Sequence, residues 1–125
     1  MTVEQQAQQF WSILVFAARE QKVVSYSMLS HITGCPEPAP VLYCIHCYCR
    51  QHQLPPLNII VVDSTTGRPG DEIPRDLRDL SAQQSRVFVH DWLQHLAPSA
   101  DVFTEVIERE AELEKINAEY VGLPC

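Results

Sequence analysis

Apolar positions over the first twenty residues recur at helical spacing. Phe10, Ile13, Leu14, Ala17 and Ala18 make one stripe, and Gln5, Gln6, Gln9, Arg19 and Glu20 fill the other faces. Thr2, with Gln5 three residues on, forms a capping box, so the pattern predicts a helix that opens there and ends near Gln21. Trp11 widens the stripe toward the C-terminal half of the chain, and Lys22-Val23-Val24 begins an extended, β-branched piece. Ser25 suits the N-cap of a short helix over Tyr26 to Thr33, with Leu29 and Ile32 inward and Gly34 in the left-handed position that closes it. Pro36, Pro38 and Pro40 then form a stiff step, although Pro40 also fits the first turn of a helix. That third helix is predicted from about Ala39 to Gln51. Val41, Leu42, Ile45 and Cys49 fit its buried face, and Tyr43, His46, Cys47 and Arg50 the opposite one.

Beyond residue 56 the period changes. Leu57 to Asp63 is a short β-branched run that predicts a strand, Ser64-Thr65-Thr66-Gly67 a turn, and Gly67-Arg68-Pro69-Gly70 a wing-like loop. Asp71 to Leu80 is charged and irregular. Ser81 and Gln84 form a second capping box ahead of a helix to about Leu96, with Val89, Trp92, Leu93 and Leu96 inward. After Pro98-Ser99 a last helix, from about Ala100 to Asn117, is amphipathic through Phe103, Val106, Ile107, Leu113 and Ile116. Glu105, Glu108, Glu110, Glu112 and Glu114 make its acidic face. The expected fold is mainly α (α+β): a winged-helix-like core over residues 1–70, extended by two helices in an acidic segment 71–125, all within a single domain.

Charge and composition narrow the function. The 125 residues carry a net charge of −7. Residues 1–67 hold three basic against four acidic side chains, and residues 68–125 hold six against twelve. An acidic protein gains little counterion-release affinity for nucleic acid, so charge leans against a DNA binder without a local basic patch. No apolar run approaches the roughly 18 residues of a membrane span, and the opening Met-Thr-Val-Glu-Gln-Gln has no basic or apolar leader features, so no membrane partner and a cytoplasmic location are expected. In that compartment the five cysteines are free or metal-bound rather than paired.

From Val23 to Gly67 the chain resembles the C-terminal, DNA-binding domain of alkylguanine-DNA alkyltransferases and their non-enzymatic alkyltransferase-like relatives. Ser25-Tyr26 and Leu29 match that family's Thr/Ser-Tyr step and short helix. Gly34-Cys35-Pro36 and Ala39 match its Gly-x-Pro and the start of its recognition helix, and Pro56, Ile59 to Val62 and Gly67 its strand entry and turn. The resemblance implies a winged helix that flips a base. Its chemistry is missing here: where the family has the alkyl-accepting cysteine and its histidine, Pro55-Pro56-Leu57-Asn58 stands, and Pro40 takes the place of the arginine that fills the gap of a flipped base. Of the family's functional positions, Tyr26 alone matches.

Several constellations remain as candidates. Cys44 and Cys47 have Cys-x-x-Cys spacing, and His31 or Cys35 would complete a zinc set; yet the same segment makes a good helix, around which those ligands would spread, so packed or surface thiols are the preferred reading. Tyr26 at a helix start suits either a phosphate or packing against Val24, and packing is preferred. The outward face of the third helix, with Tyr43, His46 and Arg50, has too few donors to read bases and fits a protein partner better. Arg68, Arg75, Arg78 and Arg86 alternate with Asp71, Glu72, Asp76 and Asp79, so local salt bridges are their default and a phosphate backbone their alternative. The expectation is a non-enzymatic interaction module without a cofactor, acting through protein contacts in a DNA-related or mobile-element setting. The C-terminal helices offer a homodimer contact. The alternatives are a direct DNA-binding regulator using Tyr26 and the wing arginines, and a small zinc or thiol protein.

Overall fold

A computed structural model describes residues 1–68 and 80–122, with backbone alone for 117–122. Five helices surround a very small sheet: α1 (Val3–Arg19), β1 (Val24–Ser25), α2 (Tyr26–Thr33), α3 (Pro38–Gln51), β2 (Val61–Val62), α4 (Leu80–Val89) and α5 (Ala100–Gly122). Two 3-10 turns, Leu57–Ile60 and Trp92–Gln94, complete the path. The strands pair in parallel, Val24 opposite Val61 and Ser25 opposite Val62. The mainly helical fold with a small strand element is therefore as the pattern implies. Among the described residues the sheet has no antiparallel hairpin, and Pro69-Gly70 of the wing-like loop lies outside them, as do Asp71–Asp79 with Arg75 and Arg78.

Local chemistry explains the helix ends. At α1 the Thr2 hydroxyl accepts from the Gln5 N–H at 3.1 Å, while Gln5 Oε1 accepts from the Thr2 N–H at 3.0 Å, so two orphan donors are satisfied at once. The helix stops at Arg19, two residues before the expected end, because Gln21 turns left-handed at φ 57°. The Ser25 hydroxyl accepts from the Met28 N–H at 3.1 Å and starts α2. Gly34, at φ 70°, ends it with its N–H on the Ser30 carbonyl. Pro38 and Pro40 occupy the first turn of α3, where no N–H is needed.

One core joins both halves of the chain. Phe10, Trp11 and Leu14 of α1, Leu42 and Ile45 of α3, Leu57 to Val61, Val87, Trp92, and Phe103 with Val106 of α5 form one buried cluster. The Trp11 ring sits at its centre, edge-on to Tyr48 (centroids 5.2 Å) and to Trp92 (5.6 Å), with Phe103 tilted beside it at 6.4 Å. Within the acidic C-terminal segment, α4, the turn at Trp92 and the first half of α5 thus belong to the same core.

Several expectations need correction. Leu57 to Ile60 is a 3-10 turn, and only Val61–Val62 is a strand. Pro56 accepts from the Ile59 N–H at 3.0 Å, which tightens the turn just after the diproline. Burial of all four residues against α1, α3 and α4 outweighs their β propensity. Helix α4 is already helical at Leu80, so Ser81 cannot cap it, and the Gln84 amide donates instead to the Ile59 carbonyl at 3.2 Å. That helix ends at Val89 because Trp92 turns into the core and its indole N–H donates to the Val87 carbonyl at 2.8 Å. Trp92 is inward as expected, but Val89, Leu93 and Leu96 are exposed. On α2 only Leu29 is buried, and Ile32 faces outward beside Met28.

Candidate functional site

The outer side of α3 is closed by α5, which runs antiparallel across it. The Arg50 guanidinium donates to Glu110 Oε1, and the Gln51 amide donates to the same oxygen at 3.0 Å and to the Val106 carbonyl at 3.1 Å. Glu110, expected on a solvated acidic face, is buried. Burial pushes its carboxyl up, but the hydrogen bonds from Arg50 and Gln51, aided by the Arg50 and His46 charges, outweigh this and hold it below the usual carboxylate range. Cys47, expected outward, is fully buried; Tyr43 and His46 are half-buried, and Arg50 alone of the four remains half in water. Sequence reasoning missed this because α3 offers one plausible outward face by spacing, while the helix that covers it lies sixty residues downstream.

The described thiols are sealed. Cys35, Cys44, Cys47 and Cys49 are free and buried. Burial, with a smaller contribution from Glu4 and Cys47, pushes the Cys44 thiol up to about 12, and burial pushes Cys49 up to about 12 despite the Leu57 N–H near its sulfur. Burial likewise raises Cys47, whose bond with Tyr43 lifts that phenol to about 12. Raised thiols stay protonated at neutral pH and are poor nucleophiles and poor metal ligands. Of the zinc candidates, His31 is exposed on α2 while Cys35, Cys44 and Cys47 are buried. Among the described residues no three His, Cys, Asp or Glu side chains converge on a point that would hold a metal. Leu57 and Asn58, which stand where the resembled enzymes carry their reacting pair, are both fully buried.

The DNA candidates are scattered. Tyr26 is half-buried at the start of α2. Arg68 is exposed just past a tight turn in which Asp63 Oδ1 accepts from the Thr65 and Thr66 N–H groups at 2.8 and 3.1 Å, and Gly67 takes φ 68°. Arg86 is exposed on α4. Arg75 and Arg78 lie outside the described residues.

Two features had no clear signature in the sequence. His90 and His95 meet at the bend after α4 with their Nε2 atoms 2.8 Å apart. Their centroids are 5.0 Å apart and their planes within 4°, so the rings meet end to end in nearly one plane, and one Nε2–H points at the other's lone pair. Burial first, then the neighbouring His95, holds the His90 imidazole below its usual range, against a smaller upward pull from Asp91. Beside this pair, a shallow groove of about 370 Å³ runs between α1 and residues 92–97, floored by Trp11 and Trp92 and walled by Phe16, Leu93 and Leu96. Phe16 is 65% exposed, Leu93 64% and Leu96 92%. No described helix is long and apolar enough to cross a membrane. Compared with family models, curated proteins and solved structures, the chain matches none.

Proposed function

We propose that this chain is a non-enzymatic interaction module acting through protein contacts in a DNA-related or mobile-element setting. The observation that carries this reading is the closure of α3. A helix that reads bases must lay several polar side chains in the major groove. Here seven of the fourteen α3 residues are buried, and Arg50 is engaged by Glu110. What the surface offers instead is apolar: Met28 with Ile32 on α2, and Phe16 with Leu93 and Leu96 at the groove. Such exposed apolar side chains, grouped and bordered by polar ones, are the mark of protein contacts. Cys44, Cys47 and Cys49, buried and raised, are poorly suited to act as nucleophiles, in keeping with a non-enzymatic reading. The DNA-related setting rests on the sequence resemblance of residues 23–67 alone.

The test is fluorescence anisotropy of a labelled DNA duplex titrated with the protein at low and physiological salt. The module reading expects no salt-sensitive association at micromolar protein. Binding that falls steeply with salt and drops with Arg68→Ala and Arg75→Ala would overturn it in favour of the DNA-binding regulator.

A further inference from the structure

Resting on that protein-contact reading, we infer that the partner of the apolar groove is a second copy of this chain, whose α5 lies in it. Besides Met28 and Ile32 on α2, two apolar surfaces stand out among the described residues. One is the groove between α1 and residues 92–97. The other is the outer face of α5, where Leu113 and Ile116, three residues apart and both substantially exposed, stand together on one side of the helix. Paired apolar anchors at that spacing are what an amphipathic helix presents to a groove.

The charges of the two surfaces are opposite. The net charge is −7, yet among the described residues no carboxylate lines the groove, and its charged or titratable groups are Arg19 and His95. The α5 face carries Glu105, Glu108 and Glu112 against Arg109 alone. Among the described residues neither Arg19 nor any of those three glutamates has an ion-pair partner, the ion pair there being Arg50 with Glu110. The apolar part of each surface fits the other, and the uncompensated cation of one faces the uncompensated anions of the other.

The two surfaces cannot meet within one molecule. Leu113 borders the hollow that also contains Tyr43, Arg50 and Glu110, on the side where α5 crosses α3, whereas the groove is on the Trp11–Trp92 side. Placed in two copies they satisfy each other twice. In the arrangement inferred, each copy gives a helix and receives one across a two-fold axis, which closes the contact as a dimer; the same two surfaces used head to tail would propagate and show as mass beyond the dimer. The doubling matters energetically, since a single shallow groove is well below the ~1,200 Å² that specific dimers bury in total.

Sedimentation equilibrium of the full chain, from about 1 to 200 µM, tests this, since a dissociation constant in the micromolar range lies within that window. The expected result is a monomer–dimer equilibrium that weakens as salt rises. Leu96→Glu (in the groove) and Leu113→Lys (on the helix) alter exposed positions, and circular dichroism checks that each still folds. Each is expected to weaken dimerisation by about ten-fold or more. An equimolar mixture of the two variants recovers one intact contact, the α5 of the Leu96→Glu copy in the groove of the Leu113→Lys copy, and associates more tightly than either alone. Three results overturn the inference: a wild-type chain that stays monomeric to 200 µM, a dimer indifferent to both substitutions, or a mixture no tighter than its components. A monomer that also ignores DNA leaves the interaction-module reading standing with a foreign partner. Salt-sensitive DNA binding removes that reading itself.

Discussion

Helices α3 and α5 lie side by side, and their burial runs opposite to their appearance in the sequence. The α5 sequence is the more regular amphiphile, with a clear apolar stripe and a dense acidic face, while α3 mixes cysteine, histidine, tyrosine and arginine among its apolar residues. Yet α3 buries seven residues, whereas α5 buries Phe103, Val106 and Glu110 among those whose side chains are described. The difference is one of neighbours. Helix α3 packs on α1, on α5 and on the turn at 57–60, so it is covered from several sides. Helix α5 is held along its first half and leaves Leu113 and Ile116 in water. Amphipathic pattern tells which side of a helix meets protein, but not how many sides do.

Substitutions sharpen that contrast. Ile45→Ala at the centre of α3 is expected to cost about 3–4 kcal/mol in denaturant unfolding, because it opens a cavity at a fully buried position of the core. Glu110→Ala is intermediate, about 1–2 kcal/mol. It strips the half-exposed Arg50 and the Gln51 amide of a shared acceptor, but water compensates part of the loss. At the other extreme, Ile116→Ala on the exposed stripe should change monomer stability by no more than about 0.5 kcal/mol. An Ile116→Ala cost near that of Ile45→Ala would show that distal α5 is buried in the folded monomer, and the comparison would fail.

Acidity separates the two regions further. The Glu110 carboxyl is depressed in the folded chain, so its stabilisation is complete above the ordinary carboxylate range and is lost as pH falls through that range. Glu110→Gln should flatten that part of an acid-unfolding curve. The smallest effect is expected at the bend after α4. The His90 imidazole is also depressed, so as pH falls below about 6.5 the unfolded chain takes up this proton first and stability declines. His90→Gln should remove that slope. If the slope survives the substitution, the end-to-end histidine pair is not its source. Asp91 acts on this titration from beside the pair, and Arg19 shares the groove with His95.

What could be read from the sequence was local. The Thr2–Gln5 capping box and the Ser25 and Gly34 ends of α2 depend on residues within four positions of one another, and they appear where expected. The parts that eluded it depend on distant partners. Leu57 to Ile60 looks like a strand until α1, α3 and α4 close on it. Cys47 looks exposed until Glu110 and its helix arrive. Val89, Leu93 and Leu96 continue a helical stripe on paper, but Trp92 is drawn inward and breaks the helix that would have aligned them. The histidine pair is separated by five residues across a bend, a spacing that no periodic pattern reports.

The placement of the four buried thiols turns the molecule into its own clock. Cys44, Cys47 and Cys49 share α3, and Cys35 sits just before it, all protected from solvent. A bulky aromatic disulfide reagent can reach them only when the chain opens. In a Cys35→Ser, Cys125→Ser background, the rate of colour release would therefore report openings of that one helix directly. Under conditions where reclosing outpaces labelling, the three α3 thiols should react with a single shared protection factor, and its logarithm would give the free energy needed to lift α3 from its neighbours.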